Sequence, residues 1–533
     1  MSLTGITIEG FKGIRGPVSI PIRPLTLLFG ANSAGKSTVL HALHVAREVI
    51  LRGNVDPGVT ELTGDLDLGG FRNLVHGRDL SRPIRLGFEL NLENVDMPAY
   101  GDLRAFGWSQ PRGDTGEWPC GWSTPTRVQV KLTLRWSELS RRPFVAEYSV
   151  CFDDAEIARI EAGSDGRNVA LTVLDMGWWS DDGPFQMFHV DVDLGPWTQG
   201  EPTGEGGRLR HLHLPLSQRS ALPERAKRLP LGVAVEDRAQ QEQWEMFALL
   251  ISEWIVGPLD VLRAELEGLT AVGPLRKVPP RGFRPLRHPD PRRWYDGLGA
   301  WDELHRFEEP GLPALFLSSA SLQYLTRTEA TNTGGYELAR RRVIDLDAEG
   351  PLMALAGDLD RDPAALPRLL GALPQHARVV LVDKAKGMDF APEDVGVGIS
   401  QVVPVVVAAC HGGALVCIEQ PELHVNPSVQ VALGDVFISQ FTDVEYAPRR
   451  ALIETHSEAL LLRLRRRIRE TTEGTLPTGA QFAVRPSDIA ILIVEPGIDG
   501  TTIRELRLSD QGDLLDPWPD GFFDESYREL FGE

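Results

Sequence analysis

Residues 30–38 read Gly30-Ala31-Asn32-Ser33-Ala34-Gly35-Lys36-Ser37-Thr38, a glycine, four residues and then Gly-Lys-Ser, and nothing else in the chain limits its fold as strongly. The glycines let the backbone turn tightly, so that successive N–H groups point inward. A helix beginning near the lysine adds the positive end of its dipole. Such a loop is a cradle for phosphate. The flanks fit: 18–29 (VSIPIRPLTLLF) reads as a strand ending at Gly30, and Val39, Leu40, Leu43, Ala46 and Ile50 recur at helical spacing over 36–50. Lys36 is expected to reach the β- and γ-phosphates of a nucleotide, and the Ser37 hydroxyl to ligate magnesium.

Farther along, residues 414–424 read ALVCIEQPELH, an apolar strand ending in Glu419. A carboxylate at a strand tip can hold a magnesium shell. Taken alone such an ending is common; its meaning comes from the phosphate loop and from the Pro421-Glu422-Leu423-His424 run behind it. Upstream, 394–401 (DVGVGISQ) runs into an apolar helix, with Ser400 read as its N-cap and Pro404 in the first turn. Gly398, Ser400 and Gln401 are therefore candidates for an anion at a helix start, although an ordinary glycine-rich helix start reads the same way. Ile453-Glu454-Thr455-His456-Ser457 closes another strand, where His456 could contact a γ-phosphate or order the attacking water; a lone histidine there is more often structural.

The length of 533 residues implies several structural units. We expect four: 1–90 with the phosphate loop, a β-rich lobe over 91–230, a helical region over 231–375 with a basic Pro/Arg segment, and 376–533 with the remaining motifs. The β-rich reading rests on alternation at Leu86, Phe88, Leu90 and Leu92, at Val128, Val130, Leu132 and Leu134, and at Phe188, Val190 and Val192. Seven of the twelve tryptophans fall between 108 and 197, as anchors under long loops or as a recognition surface. Helical patterns cover 237–267, broken at Gly257-Pro258, and 312–372. Apolar strand runs at 378–382, 414–418, 451–453 and 489–494 alternate with helices, which implies an α/β sheet. No heptad pattern persists, so no long coiled coil is expected.

No run of 18 apolar residues and no basic-then-apolar leader occurs, and the four cysteines have no Cys-x-x-Cys spacing. A cytoplasmic protein that does not enter a membrane is expected. The net charge of −20 argues against a surface uniformly adapted to nucleic acid. Two clusters stand against that background: Arg463, Arg465, Arg466, Arg467 and Arg469, and Arg276, Lys277, Arg281, Arg284, Arg287, Arg292 and Arg293. Each is either a local site for nucleic acid or an acidic partner, or a solvated face paired with nearby acids. His211 and His213 share a strand face without further ligands nearby and are read as structural.

In order along the chain, these motifs resemble the Walker A, signature, Walker B and switch-histidine series of ABC ATPases. The long insertion and the opening Ile8-Glu9-Gly10-Phe11-Lys12-Gly13-Ile14 are similar to the SMC, RecF and OLD-like branch. More narrowly, VGVGISQVVP (395–404), IEQPELHVNP (418–427), ETHSEALLLRLRRRI (454–468) and WPDGFFDE (518–525) look like a bacterial AAA-type family of compact ATPases. The resemblance implies an ABC-type P-loop NTPase head with a β-rich N-terminal lobe and a helical insertion. It implies ATP and Mg2+ as cofactors, with residues 30–38 on the phosphates and Ser37 and Glu419 on the metal. Gly398, Ser400 and Gln401 would face ATP bound to the other subunit of a homodimer, with His456 as the switch. ATPase subunits of Septu- and Gabija-type anti-phage systems belong to this group, which implies an effector partner such as a nuclease.

The chain departs from that pattern at Gln420, where most such ATPases place a catalytic glutamate. An amide cannot act as a general base. Either Glu422 takes the role, or hydrolysis is slow and the ATP-bound dimer long-lived, and the second reading is preferred. An OLD-like ATP-dependent nuclease is the alternative; Ile493-Val494-Glu495-Pro496-Gly497 offers its first element, but little chain follows before Glu533. A transporter subunit ranks last.

Overall fold

The computed structural model describes residues 3–58, 66–93, 95, 97–101, 127–175, 208–209, 212–214, 220–231, 238–288, 290–306, 336–344, 373, 375–383, 386–442, 449–477 and 483–519. Pro24 makes the first architectural decision. The run expected as one strand over 18–29 is two, β2 (Val18–Pro21) and β3 (Leu25–Phe29), following β1 (Leu3–Glu9). Proline has no N–H to give a ladder. The chain leaves one sheet before it and enters another after it.

The first sheet is antiparallel. Its further strands are β4 (Ile84–Asn91), β5 (Arg127–Ser137), β6 (Arg142–Phe152), β7 (Ala155–Glu161), β8 (Ala170–Asp175), β9 (Arg208–Leu209) and β10 (Leu212–His213). They run in the order β10-β8-β7-β6-β5-β4-β1-β2, with β9 also on β8. The boundary expected at 90 therefore falls inside β4, which bonds to β1 on one side and β5 on the other. Helix α1 (Lys36–Arg52) follows the phosphate loop and α2 (Phe71–Leu74) is a single turn. The helical stretch broken at Gly257-Pro258 is α3 (Arg238–Ile255) and α4 (Gly257–Glu267).

The second sheet carries the motifs. After β11 (Leu269–Val272) and α5 (Leu298–Arg306) come β12 (Tyr336–Val343), β13 (His376–Asp383), β14 (Met388–Phe390), α6 (Val397–His411), β15 (Leu415–Glu419), α7 (Pro427–Phe441), β16 (Arg450–Glu454), α8 (Glu458–Glu473), β17 (Ile489–Gly497) and β18 (Gly500–Leu506). The order is β11-β15-β16-β3-β17-β18, parallel as far as β17, with β18 returning antiparallel. Alternate side chains split between two cores. Leu28, Leu415, Cys417, Leu452, Leu492 and Val494 face the layer that holds α1 and α4. Leu27, Phe29, Val416, Ile418, Ile453 and Ile491 face α6, α7 and α8. Strands covered on both faces read as unbroken apolar runs, which is why the sequence shows them so clearly. The antiparallel sheet packs its inner face, with Ile6, Phe88, Val130 and Val150, on the far side of the α1–α4 layer. The architecture is an α/β head, a mostly parallel sheet covered by helices on both faces, with a large antiparallel sheet laid against it.

Two expectations are corrected. The 378–382 run is β13, in a separate antiparallel sheet β12-β13-β14 rather than in the parallel one. Tyr336–Val343, inside the segment read as helical, is a strand: full-length pairing from Tyr336↔Asp383 to Val343↔His376 outweighs the helical preference of Glu-Leu-Ala-Arg. Most of the remaining 312–372 segment, the 188–192 run, His211 and residues 520–525 lie outside the described residues. Among those described, no helix is long and apolar enough to cross a membrane, and none exceeds the 18 residues of α3.

The carboxyl end of α6 is held by one side chain. Arg449 donates from Nε and both Nη atoms to the carbonyls of Ala408, Ala409, Cys410, Gly412 and Gly413 at 2.5–3.4 Å. Its guanidinium lies 5.2 Å from the Phe441 ring centre. It satisfies carbonyls that a helix end leaves unpaired and opposes the negative end of the dipole. We expect Arg449→Met to lower the free energy of unfolding by about 2–3 kcal/mol, read from denaturant midpoints. Lysine, a point charge without the planar fork, recovers little of it.

Candidate functional site

β3 delivers the chain to Gly30, where an added Cβ would stand 2.3 Å from the carbonyl oxygen of Val494. Only glycine fits there. The loop then turns through Ser33 (φ 63) and Gly35 (φ 104), both left-handed, before α1 starts at Lys36. Thr38 is buried behind it, and the Ala34 N–H donates to Ala31 O at 3.2 Å. Lys36 is 4% exposed. Its Nζ donates to Gly30 O at 3.0 Å and Ala31 O at 2.9 Å, inside the turn. Burial lowers its pKa, while the charges of Glu454 and Glu422 pull the other way.

Opposite the loop stand the ends of β15 and β16. Their parallel register pairs Glu419 with Glu454, so two carboxylates finish side by side. The Ser37 hydroxyl donates to Glu454 Oε2 at 2.7 Å, and the Tyr295 hydroxyl donates to Glu419 Oε1 at 3.0 Å. Burial, and then the charge of Glu454, push the Glu419 carboxyl up to about 7, against the pull of Tyr295, Arg276 and Lys12. Burial raises Glu454 as well. Arg276, buried, donates from Nη2 to the carbonyls of Glu419 at 2.6 Å and Gln420 at 2.9 Å. Lys12 approaches from the β1 side, its Nζ 2.6 Å from His41 Nδ1.

Gln420 turns the chain with φ 44, and its N–H donates to Glu454 O at 2.8 Å. Glu422 does not stand open to solvent. One oxygen accepts from Thr455 Oγ1 at 2.8 Å and the other from the His456 N–H at 2.6 Å. The carboxylate is a tie between the loop after β15 and the loop after β16. Burial, and then Lys36, lower His456 to about 4, so its imidazole is neutral near pH 7. Ser457, next in sequence, caps α8 through Leu460 N.

The glycine-serine segment lies differently from its reading. Helix α6 begins at Val397 with Gly396 as N-cap, so Ser400 is inside the helix and not its cap. Val395 (φ −100, ψ 161) and Gly396 (φ −58, ψ 144) are extended, and helical geometry sets in directly after the glycine, three residues before Ser400. The Ser400 hydroxyl is buried and donates to Pro392 O at 3.1 Å. Gln401 is buried too, its Nε2 donating to Arg276 O at 2.6 Å. Gly398 is half-buried against His424 O, and the exposed positions of this helix start are Gly396 and Val397.

The arginine clusters resolve mostly into local pairs. Arg463 and Arg467 bond Asp435, Arg466 bonds Glu470, and Arg465 and Arg469 bond Asp513. In the second cluster Arg276 is internal, while Lys277 pairs with Asp296, Arg281 with Asp394, Arg292 with Asp290 and Arg293 with Asp302. Arg284 and Arg287 remain exposed. Glu495, the acid considered for a nuclease, belongs to β17 of the parallel sheet and pairs with Arg504 at 3.3 Å.

Among the described residues no three His, Cys, Asp or Glu side chains form an all-protein metal cage. Magnesium bound with a nucleotide does not need one: a hydroxyl, one or two carboxylates, phosphate oxygens and water suffice. Ser37 and Glu419 fit that donor set, with Glu454 accepting from the Ser37 hydroxyl beside them. Sequence reasoning missed Glu454, Tyr295 and the inward role of Arg276. Glu454 had a signal, since LIE (452–454) ends its strand as CIE (417–419) does. Tyr295 and Arg276 had none.

The tie made by Glu422 has a measurable consequence. We expect Glu422→Gln and Thr455→Val each to slow ATP turnover about tenfold, the ~1.4 kcal/mol of one charge-assisted hydrogen bond. The double variant should be no slower than either. A general base at Glu422 would instead leave Thr455→Val unaffected and make Glu422→Gln far slower.

Comparison with known proteins adds one family match and several solved folds. Residues 25–98, from β3 through the phosphate loop to just past β4, match the family model described as AAA domain, putative AbiEii toxin, Type IV TA system. A search of curated proteins finds no match. Among solved structures, an SMC head bound to the C-winged helix domain of ScpA is 10% identical, with 95% of this chain and 98% of that chain covered at a TM-score of 0.38. The SMC head domain from Thermotoga maritima is 7% identical, with 95% and 100% covered at 0.36. The Smc head from Pyrococcus furiosus bound to the C-terminal domain of ScpA is 9% identical, with 95% and 97% covered at 0.35. The phosphate loop, the strand-tip acids beside it and the family match together make this chain a carrier of a P-loop ATPase fold, AAA-like over residues 25–98.

Proposed function

We propose that this chain binds ATP with Mg2+, hydrolyses it slowly, and uses it to hold two copies together as a switch over a separate effector. The observation that carries the reading is an amide, Gln420, in the place next to the strand-tip acids where a base would act. Residues 30–36 hold the phosphates through loop N–H groups and the Lys36 ammonium, and Ser37 and Glu419 hold the metal. The metal supplies charge neutralisation on the phosphates. Gln420 can orient a water but cannot take its proton. With Glu422 engaged by Thr455 and His456, no unengaged carboxylate follows Glu419 in this loop. The water must then lose its proton to a poorer acceptor, and turnover is slow.

His456, neutral and held at its backbone by Glu422, is suited to donate a hydrogen bond to a γ-phosphate and so to report its presence. In a pair of subunits, the exposed start of α6 would present its helix N-terminus to the other copy's nucleotide. Gly398 then acts through its backbone, while Ser400 and Gln401 brace the helix from inside. The effector is a second protein, such as a nuclease. Anti-phage defence is the setting we favour over general DNA transactions, in keeping with the toxin–antitoxin wording of the matched family.

The test is mass in solution together with ATP turnover, with and without ATP-Mg2+. Wild type should shift to a dimer or larger on ATP and turn over slowly. Lys36→Ala should do neither. Gln420→Glu should hydrolyse about tenfold faster or more and dissociate sooner. A wild type that binds no ATP would sink the reading entirely.

A further inference from the structure

The roles just assigned leave Glu454 without a task, yet it is 4% exposed, stands in register beside Glu419 and accepts from Ser37 at 2.7 Å. A buried carboxylate set against another is costly, so a chain that keeps one at a strand tip gains something by it. We infer that Glu454 is the positioning residue for Ser37: it accepts the hydrogen bond of the serine hydroxyl and thereby fixes which side of the serine oxygen faces the metal. This inference rests on the ATP–magnesium reading above.

The argument is one of valence. A serine hydroxyl has one proton and two lone pairs. If its oxygen gives a lone pair to a divalent cation, the proton is directed away from the cation, becomes a stronger donor and needs an acceptor. Glu454 Oε2 is that acceptor, at 2.7 Å. The two strand-tip acids are thus separately engaged. Tyr295 takes Glu419 Oε1, and Ser37 takes Glu454 Oε2. The Glu454 backbone is fixed as well, its carbonyl accepting from the Gln420 N–H at 2.8 Å. The serine proton therefore meets a carboxylate held in a rigid strand end. Outer-shell partners of this kind orient a ligand atom and tune its affinity without touching the metal.

The experiment measures binding of a non-hydrolysable ATP analogue with Mg2+ and with EDTA, alongside the Mn2+ resonance spectrum of the complex. The proteins are wild type, Glu454→Ala, Glu454→Gln, Ser37→Ala and the Ser37→Ala/Glu454→Ala double. Glu454→Ala should lose about 10- to 100-fold of the metal-dependent affinity and keep its binding in EDTA. Glu454→Gln, which keeps the side-chain volume and an oxygen able to accept the serine hydrogen bond, should recover most of that loss. The double variant should be no weaker than Ser37→Ala. Unchanged metal dependence in Glu454→Ala would overturn the proposal. So would losses that add in the double, which would make Glu454 an independent ligand, or equal losses in the Ala and Gln variants, which would make its charge rather than its acceptor geometry decisive. If wild type binds no analogue in either condition, the ATP reading itself fails; normal analogue binding by wild type confines any failure to Glu454.

Discussion

Two like charges buried side by side are the constraint on which the centre of this molecule depends. Parallel pairing brings neighbouring strands to roughly 4.8 Å, and the register of β15 with β16 leaves Glu419 and Glu454 at that spacing where both strands end. Burial, and then the neighbouring charge of Glu454, raise Glu419 and so favour its protonated form. Positive charge opposes this, and the surroundings supply it from several directions: Lys36 from the phosphate loop, Arg276 from the segment after β11, Lys12 from the turn after β1. A magnesium ion would complete the same balance. Any ligand that brings one stabilises the folded chain by mass action, since the unfolded chain has no such pair of acids.

The sheet order explains how residues so far apart in sequence meet. β3 lies between β16 and β17, so the phosphate loop emerges beside Glu454, with Glu419 one strand beyond. All these strands point the same way, and their loops open at one edge, the usual place for ligands in open parallel sheets. The hairpin of β17 and β18 closes the other side: Thr501 donates to Ala34 O at 3.2 Å and bonds through its N–H to Gly13 O at 2.8 Å. The loop is thus supported from below by the last strands of the sheet and from the side by the turn after β1.

What the sequence disclosed follows the range of the interactions. The phosphate loop, α1 and the apolar strands were legible because glycine placement, helical period and two-faced burial are local patterns. The split at Pro24 needed more weight on one residue than on the apolar run around it. Ser400 read as a cap because serine favours that place, but Gly396 takes the N-cap position and the helix starts at Val397. The arginine cluster on α8 looked like a patch because two of its acids, Asp435 and Asp513, lie outside that helix. Tyr295 and Arg276 were hidden for the same reason. A contact across more than a hundred residues leaves no spacing to read, whereas Glu454 was readable as a second strand ending in an acid.

Gln420 shows how chemistry and geometry separate at this site. Its φ of 44 is unusual for a residue with a side chain. The conformation is imposed from outside: the N–H is taken by Glu454 O, the carbonyl by Arg276, and the loop two residues on by Thr455 and His456 through Glu422. Arg276 is in turn held by Gln401 on α6. None of these bonds uses the Gln420 side chain. The turn would persist with a carboxylate at that position, so the amide is not needed to shape the loop. On the reading proposed above, its effect is to withhold a base beside the strand-tip acids, which is the arrangement a long-lived nucleotide state would require.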